Sequence, residues 1–348
     1  MYIRVGILTA PRIDFEQWEK TFVLKNVRIG IGFHWDRHED QEFAGSLEIR
    51  NNPDGTQTAI NTIDLEDYLC SVISSEMNAN SPMELLKAHA VISRSWAIRA
   101  MQKPNHEGFD VCADDHCQRY EGLRRMNERA VEAVNATRGQ VLMFGDEICD
   151  CRYYKCCGGR TEIWRTCWED IDVPYIQSVK CDWCDPKRKS LVHRTSVLRT
   201  SLNDYDQETK DFRDWKVSYT TEELSEIVRT KSGIDFGEII DLIPLHRGAS
   251  GRIDSLKIVG TKRTEIIGKE LKIRYWLSKS CLYSSWFEVS RNPSPVTGNP
   301  SWTLIGHGWG HGAGLCQIGA AVMASEGHTY EEILSYYYRG AKLSQMAK

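Results

Sequence analysis

The stretch that decides the fold is residues 64–76, DLEDYLCSVISSE. Asp64 is a residue type that caps helix N-termini, and the acidic side chains after it lie in the first turn, where the helix dipole favours negative charge. The apolar residues that share one face of this predicted helix are Leu65, Leu69, Val72 and Ile73. Glu76 follows Leu65 by about three turns, so it belongs to the same face.

Glu76 is the residue of this helix that is best suited to act as a general acid. A carboxyl group on an apolar face is desolvated, which raises its pKa and favours the protonated form that a general acid needs near neutral pH. The alternative is that Glu76 is the first exposed residue beyond a frayed helix end. The helix alone leaves both interpretations open.

The segments around this helix predict an α+β fold, with mixed helices and antiparallel sheet around a cleft. A second helix is predicted to begin after Ser81, with Ser81 as the N-cap, Pro82 at the first helical position and Glu84 at N3. This helix should end near Met101 and pack on the first. The remaining expectations are strands at 4–8, 27–31, 46–50, 141–144, 151–154 and 253–259, a hairpin turn at 51–55, helices at 126–137 and 221–232, and two short C-terminal helices.

Four segments make up the predicted domain organisation. They are a β-rich N-terminal segment at 1–62, a first part of the core with a metal-binding loop at 63–184, an inserted mixed lobe at 185–290, and a second part of the core at 291–348, with a glycine-rich cleft strand and the C-terminal helices.

Composition excludes several classes of protein. The chain has 348 residues, a net charge of −4 and 26% charged residues, so a broad basic surface for nucleic acid is not expected. No apolar run approaches the roughly 18 residues of a membrane-spanning helix. Residues 1–8 lack the pattern of an export signal. We therefore expect either a cytoplasmic protein or an exported one whose signal is absent from this chain.

The loop at 105–120 carries His106, Cys112, His116 and Cys117. Two thiolates and two imidazoles within twelve residues match the ligands of a tetrahedral zinc site. The alternative is a disulfide between Cys112 and Cys117 with two solvent-exposed histidines.

Cysteines are also crowded between Cys149 and Cys184, where seven of the chain's 12 cysteines lie. Such crowding indicates either disulfides in an oxidising compartment or a second, cysteine-based metal site. The spacing does not separate these two possibilities.

Residues 306–320, GHGWGHGAGLCQIGA, have glycine at every second position over the first part, which lets the backbone approach a ligand closely. His307 and His311 would lie on one side of a strand, as a metal pair or as hydrogen-bonded structural residues. Cys316 could be a nucleophile with His311 as its base, but a buried packing cysteine is commoner and no orienting acid is recognisable.

Taken in order, these motifs resemble the sporulation stage II protein D (SpoIID/LytB) family, whose members include lytic transglycosylases of bacterial cell-wall glycan. The resemblance rests on residues 66–77, 84–97, 106–120, 158–162, 174–179, 251–252, 310–320, 323–327 and 330–338. The sequence departs from the family's pattern at His89, where Gln is usual, and at Cys316, where Ser is usual.

The resemblance implies a peptidoglycan lytic transglycosylase with Glu76 as the catalytic residue and one structural zinc ion on His106, Cys112, His116 and Cys117. The substrate-binding residues that it implies are Lys87, Arg94, Gly159, Arg160, Thr161, His311 and Gln317. Because the substrate lies outside the cytoplasmic membrane, we expect an extracytoplasmic protein that acts on glycan strands, preferentially those without stem peptides.

Two other functions compete with this interpretation. Some relatives enhance a partner cell-wall amidase instead of cutting glycan, and His89 and Cys316 could mark such a loss of catalysis. A zinc hydrolase that uses His307 and His311 is the third. The transglycosylase is favoured because one well-placed carboxylate suffices for it, whereas glycoside hydrolysis usually needs two.

Overall fold

The computed structural model describes residues 1–33, 36–103, 105–184, 213–292 and 301–346. The α+β class predicted from sequence is confirmed, since most strand pairs are antiparallel and the helices pack beside the sheets. The predicted inserted lobe begins with residues that lie outside the described ranges. The predicted domain boundaries stay predictions.

The strands, numbered in chain order, are β1 Tyr2–Ala10, β2 Phe15–Gln17, β3 Thr21–Ile29, β4 Arg37–Ala44, β5 Ser46–Asn51, β6 Gln57–Asp64, β7 Val111–Cys112, β8 Gln140–Phe144, β9 Glu147–Ile148, β10 Tyr153–Tyr154, β11 Asp214–Thr220, β12 Ile239–Arg247, β13 Ile253–Gly260, β14 Thr264–Ile267, β15 Phe287–Asn292, β16 Ser301–His307, β17 Leu315–Cys316 and β18 Lys342–Gln345. The helices are α1 Leu65–Glu76, α2 Met83–Gln102, α3 Glu128–Ala136, α4 Trp164–Cys167, α5 Thr221–Ser232, α6 Glu270–Trp276, α7 Gln317–Ser325 and α8 Tyr330–Tyr337, with a 3₁₀ turn at Asp182–Cys184.

Helix α1 forms as its sequence predicts. The Asp64 carboxylate accepts a hydrogen bond from the Glu66 backbone N–H at 3.0 Å, and the predicted apolar face is buried. Helix α2 begins one residue later than predicted, because the carbonyl of Pro82 accepts the first helical hydrogen bonds from Leu85 and Leu86. Pro82 is therefore the N-cap, and Ser81 makes no capping bond.

Two sheets fix the position of the metal-binding loop. In the first, with the order β5-β6-β1-β7, the short strand β7 pairs in parallel with β1, so Cys112 lies opposite Gly6. A second sheet, β2-β3-β4, packs on the same apolar core. The loop is thus attached to the N-terminal sheet and reaches α1 from that side.

The described residues contain two hydrophobic clusters. The first joins the N-terminal strands, α1, α2, the cysteine-rich segment and the C-terminal helices. The second is built from β11 to β16 with α5 and α6, and includes Trp215, Phe287 and Trp302. Strand β16 therefore packs in the second cluster and leads directly into the glycine-rich stretch. No helix within the described ranges is long and apolar enough to cross a bilayer.

A buried ion pair locks α1 against α2. Arg94 is 0% exposed and donates to Glu66 through Nε at 3.0 Å and Nη2 at 2.7 Å. Its Nη1 donates to the Gln140 carbonyl at 3.0 Å. A bidentate pair with a further backbone acceptor satisfies a guanidinium that is completely removed from water.

Replacement of Arg94 by Met should destabilise the protein by about 3–5 kcal/mol, because it leaves the Glu66 carboxylate buried without a partner. The double variant Glu66→Leu/Arg94→Met should recover most of that loss. The measurement is the free energy of unfolding from urea denaturation. Arg229→Met is the matched control, since Arg229 pairs with Glu226 at a solvent-exposed position and should change little. Equal effects of Arg94→Met and the control would contradict the prediction.

Candidate functional site

Glu76 is the last residue of α1, and its carboxyl group is held by two separate segments. Its Oε1 accepts a hydrogen bond from the Arg119 backbone N–H at 3.2 Å and another from the Tyr153 hydroxyl at 3.1 Å. Arg119 lies near the end of the 105–120 loop that carries the predicted metal ligands, and Tyr153 lies on β10. Residue Glu76 is partly exposed, so its carboxyl group lies at the border between the core and the surface.

The pKa of Glu76 is raised above its ordinary value of 4.5, chiefly because burial disfavours the charged form. The charge of nearby Asp115 raises it further, whereas Arg119 and Lys155 oppose the shift. Asp115 Oδ1 forms an ion pair with the Arg119 guanidinium at 3.1 Å. The expectation from sequence that Glu76 has a raised pKa thus agrees with its surroundings, and its role stays a prediction.

Tyr153 connects Glu76 to a buried polar pair behind it. The Tyr153 and His89 rings lie 4.4 Å apart edge to face, and the Nε2 atoms of His89 and Gln317 are 3.0 Å apart. Burial lowers the pKa of His89 to about 3, so its imidazole is neutral. Since Gln317 Nε2 can only donate, His89 Nε2 accepts and its Nδ1–H donates to Ser93 at 3.2 Å. His89 and Gln317 therefore form a satisfied pair in which His89 takes the place of an amide.

The glycine-rich stretch is a loop, whereas the sequence predicts a strand across both histidines. Strand β16 ends at His307, and Gly308, Gly310, Gly312 and Gly314 all have φ between 77° and 98°. These left-handed conformations break the strand before His311. At Gly312 a Cβ would lie 2.6 Å from the Arg252 guanidinium, so the close approach also requires glycine.

His307 and His311 have separate partners. The Nδ1 of His307 contacts Asp214 at 2.6 Å. His311 Nε2 donates to the Tyr153 carbonyl at 3.0 Å, and its Nδ1 accepts from the Ala313 N–H at 3.1 Å. Burial lowers the pKa of His311 well below its ordinary value. The expected alignment of the two histidines on one strand is therefore wrong, and His311 has the contacts of a neutral structural residue.

The predicted glycan-binding residues of the turn after β10 lie close together but differ in exposure. Arg160 is exposed and contacts Ser178 at 3.3 Å. Thr161 is 1% exposed, and its hydroxyl accepts from the Val179 N–H at 2.8 Å. Gly159 has open space where a Cβ would be. Arg160 and the Gly159 backbone can thus meet a ligand, whereas Thr161 shapes the turn from within.

Lys87 and Arg94, both also predicted to bind substrate, make internal contacts. Lys87 pairs with Glu84 at 2.7 Å and lies 5.8 Å from the centre of the Tyr330 ring. Arg94 is completely buried in its pair with Glu66. A residue with no exposed surface cannot touch a glycan, so Arg94 acts on the fold.

The four predicted metal ligands come together. One donor atom from each of His106, Cys112, His116 and Cys117 lies within 4.8 Å of all the others. Cys117 Sγ is 3.2 Å from His106 Nε2 and 3.4 Å from His116 Nδ1. With Zn–S near 2.3 Å and Zn–N near 2.0 Å, tetrahedral geometry puts such atoms about 3.5 Å apart. The contact between the two thiols lowers the pKa of Cys112 and raises that of Cys117, so without a metal the pair favours one thiolate.

The donor set therefore fits one zinc ion closed by four protein ligands. All twelve cysteines are free thiols, so the alternative of a Cys112–Cys117 disulfide is not realised in this structure. A second group of four cysteines, Cys157, Cys181, Cys184 and Cys316, also gathers within 4.8 Å and is completely buried.

Two buried residues that matter here belong to motifs that carried the resemblance, but the prediction from sequence gave neither of them a role. Arg252 is 0% exposed and donates to the Gly310 carbonyl at 3.2 Å. Glu162 is 0% exposed and accepts from the Ala249 and Ser250 N–H groups at 3.0 and 2.9 Å. These contacts join the part built from β11 to β16, here called the second lobe, to the turn after β10 and to the glycine-rich loop. The only sequence signal for Arg252 was the Gly251-Arg252 dipeptide after a turn. Nothing in the neighbouring sequence indicates that Arg252 contacts Gly310.

Comparison with known proteins agrees with this geometry. Residues 53–144, which include α1, α2 and the metal-binding loop, match the family described as stage II sporulation protein (SpoIID). Residues 162–314 match a domain family of unknown function, DUF8618.

Relatives align over most of the chain. An uncharacterized protein of Brachyspira hyodysenteriae is 28% identical over 303 residues, which are 87% of this chain and 72% of the relative. Stage II sporulation protein D of Bacillus subtilis is 26% identical over 302 residues, 82% of this chain and 76% of the relative. An amidase enhancer of Bacillus subtilis is 26% identical over 302 residues, 79% of this chain and 40% of the relative. The chain therefore contains a SpoIID-family domain and is homologous to stage II sporulation protein D over most of its length.

Proposed function

We propose that this protein is a peptidoglycan lytic transglycosylase. It cleaves glycan strands between N-acetylmuramic acid and N-acetylglucosamine, leaves 1,6-anhydro-muramic ends, and prefers glycan without stem peptides. The observation that carries the proposal is Glu76, a partly exposed residue whose carboxyl group has a raised pKa and whose Oε1 is fixed by Tyr153 and the Arg119 N–H.

A role at the bacterial cell wall is the coarser part of the proposal. The SpoIID match and the similarity to an amidase enhancer support it. The substrate of such a protein lies outside the cytoplasmic membrane, so we propose an extracytoplasmic location. Peptidoglycan glycan strands are the proposed partner.

The chemistry needs one carboxyl group that first gives and then takes a proton. Protonated Glu76 donates to the glycosidic oxygen as the bond from the muramic C1 to that oxygen breaks. The resulting carboxylate accepts the proton of the muramic 6-hydroxyl as O6 bonds to C1, and no water is consumed. The sugar ring holds its own nucleophile close to C1, which replaces a second catalytic carboxylate.

Asp115 is the nearby carboxylate that could instead activate water. Its Oδ1 is engaged by the Arg119 guanidinium at 3.1 Å, and its side chain is 18% exposed. This ion pair occupies one of the two oxygens with which Asp115 could hold an attacking water molecule. Transglycosylation is therefore favoured over hydrolysis at this site.

The metal-binding loop would support this chemistry without taking part in a chemical step. His106, Cys112, His116 and Cys117 would hold a structural zinc ion, whose closed coordination supplies rigidity. Arg119 lies two residues beyond Cys117, so the loop sets the position of the N–H that binds Glu76. The rigidity of the loop thus bears directly on the orientation of the general acid.

A second function is favoured by the similarity to an amidase enhancer. In that case the protein binds glycan and activates a partner cell-wall amidase without cutting the strand. The two functions differ in whether the purified protein alone releases products.

Glu76→Gln should lower the rate of glycan cleavage by about 100-fold or more, since the amide can neither donate nor accept the transferred proton. The measurement is mass spectrometry of soluble products from purified sacculi, native and stripped of stem peptides. Wild type should release anhydro-muramic ends, more of them from stripped glycan. Glu132→Gln, an exposed change on α3, is the control and should retain full activity.

Three results would count against this assignment. Retention of a tenth of wild-type turnover by Glu76→Gln would remove the role of Glu76. Products with reducing ends would mean hydrolysis and a second catalytic carboxylate. Release of no product by wild type from either substrate, together with stimulation of an added amidase, would establish the non-catalytic module.

The same variant should change stability with pH in a defined direction. A carboxyl group whose pKa is raised on folding contributes stability that is complete below its unfolded pKa and lost as pH rises through its folded pKa. Near pH 7 the wild-type protein therefore bears the cost of ionising a buried carboxyl group. Glu76→Gln removes this cost, so the thermal midpoint of the variant should exceed that of wild type near pH 7 and match it near pH 4. A midpoint below wild type at pH 7 would contradict a raised pKa of Glu76.

Catalysis should depend on pH through the same group. Activity should fall as pH rises through the pKa of Glu76, because the general acid must be protonated. Tyr153→Phe removes a hydrogen bond that favours the ionised carboxylate, so it should move this falling limb to higher pH. A limb that stays in place or moves down would show that Tyr153 does not act on Glu76.

Replacement of Cys112 by Ser should lower the zinc content by one ion per chain, measured by elemental analysis of the purified protein. Because the loop carries Arg119, cleavage should fall although Glu76 is intact. Cys70→Ser is the control, since Cys70 lies on α1 outside both cysteine groups. Unchanged zinc content in Cys112→Ser would exclude Cys112 as a ligand.

A further inference from the structure

We propose that Cys157, Cys181, Cys184 and Cys316 bind one zinc ion in a second, all-sulfur site. This site is separate from the histidine and cysteine loop and does not depend on the transglycosylase proposal. It would fasten together three segments that are far apart in sequence: the turn after β10, the 3₁₀ turn Asp182–Cys184 and the N-terminus of α7.

The sulfur positions suit a single ion. The Sγ atoms of Cys181 and Cys184 are 3.7 Å apart, and those of Cys184 and Cys316 are 3.3 Å apart. All four sulfur atoms lie within 4.8 Å of one another. With Zn–S bonds of 2.3 Å, tetrahedral geometry puts the sulfur atoms about 3.8 Å apart. A cluster of several irons would separate its thiolates more widely, because iron and sulfide atoms would lie between them.

The surroundings of the sulfur atoms suit thiolates. Cys316 Sγ accepts from the Cys157 N–H at 3.3 Å and from the Gly319 N–H at 3.4 Å, and Cys316 is the N-cap of the nine-residue helix α7. Cys157 Sγ accepts from the Gly159 N–H at 3.3 Å. Such N–H groups and the positive end of a helix stabilise negative sulfur.

A shared hydroxyl completes this shell. The Tyr337 hydroxyl lies 3.3 Å from Cys181 Sγ, and both side chains are buried. Four thiols that are 0% exposed would gain little from such a shell if they stayed neutral. Ionised sulfur without a cation would in turn be costly at this depth. A bound divalent ion reconciles complete burial with donors aimed at sulfur.

The pattern of ligands agrees with structural zinc sites. Cys181 and Cys184 have the CxxC spacing, in which two thiolates of one tight turn bind the same ion. Cys157 comes shortly after strand β10, and Cys316 is the last residue of strand β17. These two strands pair with each other and so bring the two cysteines side by side. The sequence indicated a second cysteine-based site among 149–184 but not Cys316, which comes from a distant segment.

The site also has a consequence for the candidate cleft. Cys316 directly precedes Gln317, whose side chain contacts His89 behind Tyr153. A zinc ion on Cys316 would fix the start of α7 and therefore the position of that amide. Cys316, which departs from the family's usual Ser, is thus explained as a ligand, and its departure does not mark a loss of catalysis.

The experiment starts with the variant Cys112→Ser/Cys117→Ser, purified under reducing conditions without added metal. It should retain one zinc per chain, and X-ray absorption at the zinc edge should show a shell of sulfur alone near 2.3 Å. When Cys181→Ser is introduced into the same variant, the protein should contain no zinc. Cobalt exchanged into the double variant should give strong sulfur-to-cobalt charge-transfer absorption, which reports the thiolates without any change to them.

Cys156→Ser tests the ligand set, because Cys156 is a buried cysteine directly beside Cys157 yet belongs outside the proposed four. When Cys156→Ser is added to the Cys112→Ser/Cys117→Ser variant, the protein should keep its one zinc ion. The proposal is overturned by loss of the zinc from Cys156→Ser, by a double variant free of metal, by iron in place of zinc, or by disulfides among the four cysteines on mass spectrometry of alkylated wild type.

Discussion

The site depends on how the Glu76 carboxyl group is held. Its Oε1 is fixed between a backbone N–H near the end of the metal-binding loop and a hydroxyl on β10, while its own backbone ends α1. Three segments that are distant in sequence must be in place before this geometry exists. Burial raises the pKa of the group, so the fold gives up some stability at neutral pH, where the carboxyl group ionises. The buried pair of Glu66 and Arg94, which fixes α1 on α2, supplies the rigidity on which that arrangement rests.

The second lobe is tied to the glycine-rich loop by polar contacts at complete burial. Glu162 accepts hydrogen bonds from the Ala249 and Ser250 N–H groups and the Ser250 hydroxyl, and Arg252 donates to Gly310 and to the Cys157 carbonyl. Because a buried polar group without a partner is costly, the loop and the lobe can only be satisfied together. Glycine at position 312 leaves room for the Arg252 guanidinium. The repeated glycines therefore serve packing and turning within the protein itself.

Prediction from sequence succeeded where the determining interactions are local. Capping by Asp64, the apolar face of α1 and the side chains of His106, Cys112, His116 and Cys117 all lie within short windows, and the structure brings each set together; zinc binding by those four stays a prediction. It failed where partners are remote. Gln317 meets His89 across 228 residues, and Tyr153 meets Glu76 across 77. Arg94 shows the reverse error: a basic residue in a family motif suggested a substrate contact, whereas its whole side chain neutralises Glu66 inside the core.

Three titratable side chains, Glu76, His89 and His311, contact Tyr153, and burial shifts their pKa values in different directions. His89 and His311 are both buried, both have lowered pKa values, and both have ring nitrogens engaged in hydrogen bonds that a neutral imidazole satisfies. A charged imidazole would have to break an accepted hydrogen bond at Nε2 in His89 or at Nδ1 in His311. Glu76 is shifted in the opposite sense, toward holding a proton at higher pH. The same desolvation thus keeps the two imidazoles neutral and favours the protonated form of the Glu76 carboxyl group.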